Sequence, residues 1–354
     1  MSAAASPRRC RDFRTDYHQE MTWFPSPRSA AACAIGVALL AAAPLALGNY
    51  GLALLIQIGY YGIAALGLNL VTGFTGQISL GHAAFFGFGA FFSAWISNRF
   101  GVPVLLAIPV AGVATALVGL VFGAPAARIK GLYLAIATLA AQYVLEDFFN
   151  RAQWFTGGAS GANAQPASLF GLPLNTDARY FWLVLVALVL LYGFASNLMR
   201  TRDGRAMIAV RDHYLAAEIM GIALTRYRVL AFGLASFYAG VSGALMGHYV
   251  GFVSTESINL LLSVQMLGMI IIGGLGSIMG SLMGAAFMVL MPETVEAVFH
   301  AAGVGASGAD KGLVYLKEIS IGAVIILFLV FEPDGLAHRW RLVKAWWKLY
   351  PFTH

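Results

Sequence analysis

About ten mostly apolar stretches divide this chain, near residues 31–48, 51–72, 76–97, 102–124, 131–149, 181–199, 229–252, 259–275, 277–298 and 313–331. A helix rising 1.5 Å per residue needs about 20 such residues to cross the roughly 30 Å hydrocarbon core of a bilayer. In lipid, backbone N–H and C=O groups find no water, so a spanning segment must satisfy them internally, as a helix does. The fold class that follows is an all-α polytopic membrane protein with about ten transmembrane helices. The count varies by about two where short glycine turns blur the boundaries.

Composition points the same way. Of 354 residues, 59% are hydrophobic and 11% are charged, whereas soluble domains carry about 25% charged residues. A single water-soluble core stops growing near roughly 250–300 residues and has no room for this much apolar surface.

The net charge of +6 does not point to nucleic acid, because the basic residues sit in short stretches between apolar runs. Counting Lys and Arg in those stretches orients the chain. One side holds Arg8, Arg9, Arg11, Arg14, Arg28, Arg128, Lys130, Arg200, Arg202, Arg205, Arg211, Arg226, Arg228, Arg339, Arg341, Lys344 and Lys348. The other holds Arg99, Arg151, Arg179 and Lys311. Both termini are therefore expected in the cytoplasm. Residues 1–28 read as a cytoplasmic tail, with a misplaced start as the second reading; 29–335 read as the transmembrane domain and 336–354 as a basic cytoplasmic tail. The mixture of Trp340, Trp346 and Trp347 with Arg341, Lys344 and Lys348 suits a helix lying on the inner leaflet. Cys10 and Cys33 imply neither a disulfide framework nor a metal site.

Glycines spaced by four let helix backbones approach closely in lipid. Gly243, Gly247 and Gly251 form one such ladder and Gly276, Gly280 and Gly284 another. Two segments also resemble each other: Gly73-Phe74-Thr75-Gly76-Gln77-Ile78 recurs as Gly273-Gly274-Leu275-Gly276-Ser277-Ile278. Paired glycine-interrupted segments point to a transporter's translocation path. The span count makes this repeat parallel; a broken helix in one copy would make it inverted, and the sequence leaves both open.

Catalytic chemistry is not visible. Gly303 to Gly308 approaches a phosphate loop, but Ala309 stands where the lysine is needed. His82 and His248 each lie alone in apolar surroundings, where a packing role outweighs a ligand role. Glu146 and Asp147 fall at the end of a span, Glu256 in a short loop and Glu318 beside Lys317. No acid therefore sits clearly at mid-membrane, where an ion-coupled transporter often carries one. The chain is expected to be no enzyme, to bind no cofactor and to draw its energy from elsewhere.

The sizeable polar segment, 200–228, is the candidate place for a partner to deliver that energy. Within it, Gly204 to Gly221 reads as one short amphipathic helix, with Met207, Val210, Tyr214 and Ala217 at intervals of three and four. Arg211, Asp212 and Glu218 fall on its solvated side. Such a helix either lies on the membrane surface or docks into a groove on a cytoplasmic partner. Ala216-Ala217-Glu218-Ile219-Met220-Gly221 looks like the coupling-loop signature of ABC importer permeases, with Leu215 where that signature has Glu.

These motifs together resemble one family. Gly67-Leu68-Asn69-Leu70 followed by Thr72-Gly73-Phe74-Thr75-Gly76-Gln77-Ile78-Ser79-Leu80-Gly81-His82 is similar to the hallmark of branched-chain amino-acid ABC permeases. So are 130–139, Thr156-Gly157-Gly158, Gly204-Arg205-Ala206-Met207, Ile272 to Ser277 and Glu332 to Leu336, and the likeness runs from about residue 50 to 338. The longer of the family's two permease types is the nearer likeness.

The resemblance implies an ABC importer permease bundle in a bacterial inner membrane. Its partners would be a second, similar permease, two cytoplasmic ATPases and a periplasmic binding protein. It implies alternating access, with Thr72, Gly73, Thr75, Gly76, Gln77, Ser79, Gly81, His82, Gly273, Gly274 and Gly276 lining or hinging the path. Arg205, Val210, Arg211, Ala216, Ala217, Glu218 and Gly221 would couple to the ATPases. Glu146, Asp147 and Arg151 are candidates to meet the binding protein, since rim charges set encounter and register. Two other readings stay open: an ABC permease for urea or short amides, and an ion-coupled secondary transporter. A membrane enzyme is a weaker third, without an acid/base or nucleophile constellation to support it.

Overall fold

The computed structural model describes residues 27–129, 131–169, 172–301, 310–332 and 334–349. Expectations placed on residues 1–26, Lys130, Gly303–Gly308, Ala309, Pro333 and 350–354 lie outside the described residues. Residues 27–47 and 48 onward fall into two compact units. The first holds α1 (Pro27–Ala41) and the four-residue α2 (Ala43–Ala46), with Cys33 exposed on α1.

The second unit is a helical bundle. Its elements are α3 (Asn49–Thr75), α4 (His82–Phe100), α5 (Val104–Ala126), α6 (Leu132–Arg151), the short α7 (Gln153–Thr156) and α8 (Asp177–Arg200). They continue with α9 (Arg202–Asp212), α10 (Tyr214–Ile219), α11 (Leu224–Val250), α12 (Leu260–Gly273), α13 (Ile278–Ala301), α14 (Asp310–Phe331) and α15 (Gly335–Leu349). Two-residue strands at 162–163 and 252–253 pair antiparallel, as do those at 168–169 and 172–173. The chain is thus predominantly helical. Six helices among the described residues, α3, α5, α6, α8, α11 and the 278–298 part of α13, are long and apolar enough to cross a membrane.

Helix α11 is the hub and packs along α3, α4 and α5. Glycines on one side or the other of each contact bring the backbones together: Gly67 of α3 takes Tyr238, and Gly112 and Gly123 of α5 take Phe237 and Phe232. A methyl group on Gly243 would overlap the Phe86 carbonyl, and one on Gly240 would come 3.1 Å from the Ala111 carbonyl. Gly247 continues that seam, but the third member of the ladder does not: Gly251, at φ +77, ends α11 in the left-handed region that favours glycine. The second ladder divides likewise. Gly280 and Gly284 lie against the backbone of Gly273 and Met269, making α12 and α13 a tight antiparallel pair, while Gly276, at φ +74, belongs to the turn between them.

Direction of the repeat follows from these contacts. Helix α13 runs antiparallel to α3 as well, with Gly62 beside Leu282 and Ala285, and Asn69 bonded to Ser277 and Ser281. Helices α3 and α12 therefore run the same way and end in their glycine turns at the same side of the bundle. The local similarity is parallel.

One of the expected spans, 76–97, is broken at its start. Gly76, at φ +70, ends α3, and the chain then runs without helix until His82. His82 Nε2 lies 3.1 Å from the Ala64 carbonyl. Ala64 stands eleven residues before Thr75 in α3, about 16 Å back along the helix at 1.5 Å per residue. Helix α4 thus begins deep in the bundle. Helix α12 fills the expected run 259–275 but is only 14 residues long; it follows a non-helical stretch from Gly251 to Asn259, and Asn259 Oδ1 caps it by accepting from the Leu262 N–H at 3.1 Å.

Candidate functional site

The first glycine turn is knitted to itself. Thr75 Oγ1 donates to the Val71 carbonyl at 2.6 Å and Thr72 Oγ1 to the Gln77 carbonyl at 3.1 Å. Gln77 Nε2 donates to Thr75 Oγ1 at 2.8 Å and to the Arg228 carbonyl at 3.3 Å. Arg228 in turn reaches the Ala127 carbonyl from Nη1 at 3.2 Å. The end of α3 is thereby tied to the start of α11 and, through Arg228, to the end of α5. Thr72, Thr75, Gln77 and Ser79 are all buried, and the first three bond within the turn.

The second turn packs directly on the first. Asn69 Nδ2 donates to the Ser277 carbonyl at 2.8 Å and to Ser281 Oγ at 2.7 Å, while its Oδ1 accepts from the Gly276 N–H at 2.9 Å. Gly73 must lack a side chain here, because a methyl group would overlap both Asn69 Oδ1 and Gly276 N. On the far side of the second turn, a methyl group on Gly274 would come within 3.0 Å of the Asp334 carbonyl and 3.4 Å of Ala337 Cβ. Gly73, Gly274 and Gly276 are thus brought to one junction, and Gly273 lies in the α12–α13 contact beside it.

Polar segment 200–228 meets the same junction. Thr201 Oγ1 caps α9 by accepting from the Gly204 N–H at 3.4 Å. One continuous helix was expected over Gly204 to Gly221, but the helix breaks at His213, whose Nδ1 accepts from the Ala216 N–H at 3.3 Å and restarts the chain as α10. A side chain that can cap a new helix competes with continuing the old one. Helix α10 then stops at Gly221, at φ +82, where the Ile222 N–H reaches back to the Ala217 carbonyl at 3.0 Å, a left-handed cap.

The two helices have distinct faces. Val210 and Ala217 are buried and pack with Leu224 beneath the pair. Arg205, Ala216 and Glu218 are exposed, as are Leu215 at 50%, Ile219 at 86% and Met220 at 82%. Arg211 turns toward the glycine turns, its Nη1 donating to the Gly73 carbonyl at 2.8 Å.

A second buried polar cluster surrounds the start of α4. The Leu80 N–H donates to Thr138 Oγ1 at 3.0 Å, the Ala83 N–H to Ser263 Oγ at 2.9 Å and the Ala84 N–H to Gln142 Oε1 at 2.8 Å. Gly81 approaches the Thr138 carbonyl so closely that a methyl group would overlap it. These bonds satisfy N–H groups that the first turn of a helix leaves without intrahelical partners. His82 is fully packed against Ala64, and His248 is held between Ser93 Oγ at 2.8 Å and the Gln165 carbonyl at 2.7 Å. Both histidines sit as packing residues.

At the opposite end of the bundle, Asp147 and Arg151 pair with each other at 2.8 Å on the exposed face of α6, one turn apart, beside Glu146. Nearby, Ala164, Asn175, Asp177, Tyr180, His248 and Tyr249 line a surface pocket in which Tyr249 donates to Asp177 at 3.2 Å.

Asn69, Thr138, Gln142, Arg228 and Ser263 are not among the site residues the sequence points to, although Asn69 and Thr138 stand in its motif stretches. Their signal was present: each is a polar side chain in or beside an otherwise apolar run, where it needs a partner. The partner's identity was not.

Comparison with known proteins assigns this architecture. The family described as "Branched-chain amino acid transport system / permease component" matches residues 50–329. The chain belongs to this family. Among similar proteins, the high-affinity branched-chain amino acid transport permease LivM of Escherichia coli K12 is 29% identical over 313 residues, covering 82% of this chain and 70% of that protein. LivM of Salmonella typhimurium is 28% identical over 300 residues, covering 78% and 67% respectively. The autoinducer 2 import permease LsrC of Enterobacter sp. 638 is 27% identical over 214 residues, 58% of this chain and 59% of that one. No solved structure matches. A multi-pass membrane permease component follows from the family and from the apolar helices.

Proposed function

We propose that this chain is a permease subunit of an ATP-binding-cassette importer that carries branched-chain or similar hydrophobic amino acids across a bacterial inner membrane by alternating access. The observation that carries the reading is the α9–α10 pair. It presents Leu215, Ile219 and Met220 outward and sends Arg211 inward to the glycine turn. An apolar exposed face on a short helix suits a groove on a partner. With no mid-membrane acid singled out, that partner would supply the energy, as two cytoplasmic ATPases.

In this reading ten segments cross the membrane: α1, α3, 76–100, α5, α6, α8, α11, 251–273, α13 and α14. Both termini lie inside, placing the glycine turns and α9–α10 at the cytoplasmic face. The second permease completes the pathway, and a periplasmic binding protein delivers substrate to the end carrying Glu146, Asp147 and Arg151.

Reconstitution tests this. Uptake of radiolabelled leucine, with urea as comparison, is measured in proteoliposomes holding this chain with and without its neighbouring permease, ATPases and binding protein. ATP-dependent leucine uptake that needs every component is expected. Urea uptake would move the substrate class, and ion-driven uptake by the chain alone would overturn the importer reading.

A further inference from the structure

Arg211 occupies an unusual place for a residue of a polar surface segment. It reaches from α9 into the space between the two glycine turns, where its Nη1 donates to the Gly73 carbonyl at 2.8 Å. A methyl group on Gly276 would come within 2.6 Å of that Nη1, and one on Gly76 within 3.2 Å of Arg211 Cγ. The left-handed glycine of each turn therefore flanks the same side chain. Asn69 closes the arrangement from below by bonding Gly276, Ser277 and Ser281. Asp212 holds the other edge of the guanidinium at 2.8 Å, leaving one N–H directed at the carbonyl in a fixed fork geometry.

We propose that Arg211 is a positioning residue: it locks the two glycine turns to α9, so that a displacement of the α9–α10 pair moves the end of α3 and the α12–α13 hairpin together. The proposal rests on the importer reading for its direction of force, and on the junction alone for its mechanics. A surface helix merely lying on the bundle needs no donor at the Gly73 carbonyl. This bond holds α9 to the first turn, and the same guanidinium lies against Gly276 of the second, which Asn69 and the direct packing of Gly73 on Gly276 fasten to the first. A strut between a docking helix and two joined broken-helix ends transmits motion only while its bond to the Gly73 carbonyl persists, because packed elements move as bodies and not by continuous bending.

The test uses the assembled importer in proteoliposomes and compares the unaltered chain with Arg211→Ala and Arg211→Lys. Leucine uptake and ATP hydrolysis are measured in the same vesicles. Arg211→Ala is expected to lower leucine carried per ATP about tenfold while hydrolysis stays within about twofold, and Arg211→Lys, which keeps a donor, to recover much of the ratio. An unchanged ratio, or uptake and hydrolysis falling in proportion, would overturn the proposal.

A second measurement does not depend on transport. Spin labels at Leu215→Cys and Leu275→Cys, both half-exposed, are placed in a chain with Cys10 and Cys33 replaced by serine. The distance distribution between them should be narrow with Arg211 and clearly broader with Arg211→Ala; the same width in both would sink the strut. Should the unaltered assembly show no ATP-driven uptake, the importer reading fails, while the label distances still decide what Arg211 does.

Discussion

Asn69 Nδ2 and Ser281 Oγ, 212 positions apart in the chain, share a 2.7 Å hydrogen bond within the bundle. Both residues are almost completely buried, and the same amide serves Ser277 and Gly276. This one side chain fastens α3 to the α12–α13 turn.

Replacing it should therefore be costly. Asn69→Ala takes the acceptor from the Gly276 N–H and the amide donor from the Ser277 carbonyl and Ser281 Oγ, at about 1–3 kcal/mol for an unsatisfied buried group. In membrane bundles such bonds average nearer 0.6 kcal/mol, since the unfolded state also finds partners. A drop in thermal midpoint of the detergent-solubilised protein is expected; no drop would mean that water replaces the amide.

The helix seam makes a sharper contrast. Gly243→Ala pushes a methyl group into the Phe86 carbonyl and should destabilise the protein by about 1–3 kcal/mol through forced separation of α4 and α11. Gly322→Ala, on α14 with nothing within 4 Å, should be neutral or slightly stabilising, because alanine favours helix. Thermal melts of the two variants side by side check this.

Docking and folding separate on α10. Met220→Glu changes an 82% exposed side chain and should leave insertion and melting unchanged while reducing recovery of the ATPases in co-purification. Ala217→Arg places a long cation in the buried contact with Val210 and Leu224 and should lower the melting temperature as well. Equal effects of both variants on stability would contradict the two-faced reading.

The start of α4 offers a local test. Gln142→Leu removes the acceptor of the Ala84 N–H and Ser263→Ala that of the Ala83 N–H. Loss of a cap costs about 1 kcal/mol. Hydrogen exchange should accelerate at residues 82–85 without a matching change in α11, and unchanged protection there would rule out the capping role.

How much of this was legible varies by element. The expected run 51–72 became α3 at Asn49–Thr75, and 131–149 became α6 at Leu132–Arg151, because uninterrupted apolar helices carry their signal in local composition. The run 76–97 did not: its first six residues are not helical, since glycine, serine and apolar residues suit an extended stretch inside a bundle as well as a helix. Residues 204–221 failed as a single helix for a different reason, the capping by His213. Among candidate site residues, Gly73, Gly76, Gly274, Gly276 and Arg211 converge on one junction, whereas Glu146, Asp147 and Arg151 sit at the other end of the bundle.

Composition and the lengths of the apolar runs determined that the chain is a helical, multi-pass membrane protein, because transfer into lipid is a sum over local surface. The same text marked the glycine turns, because a residue without Cβ is needed wherever backbone must reach φ above zero or touch another backbone. Tertiary packing alone decided that the two turns meet, that Asn69 and Arg211 join them, and that Val210 and Ala217 face in while Ile219 and Met220 face out. Hydrogen-bond partners more than 200 residues apart are chosen by proximity in the packed bundle, and proximity has no local trace in sequence.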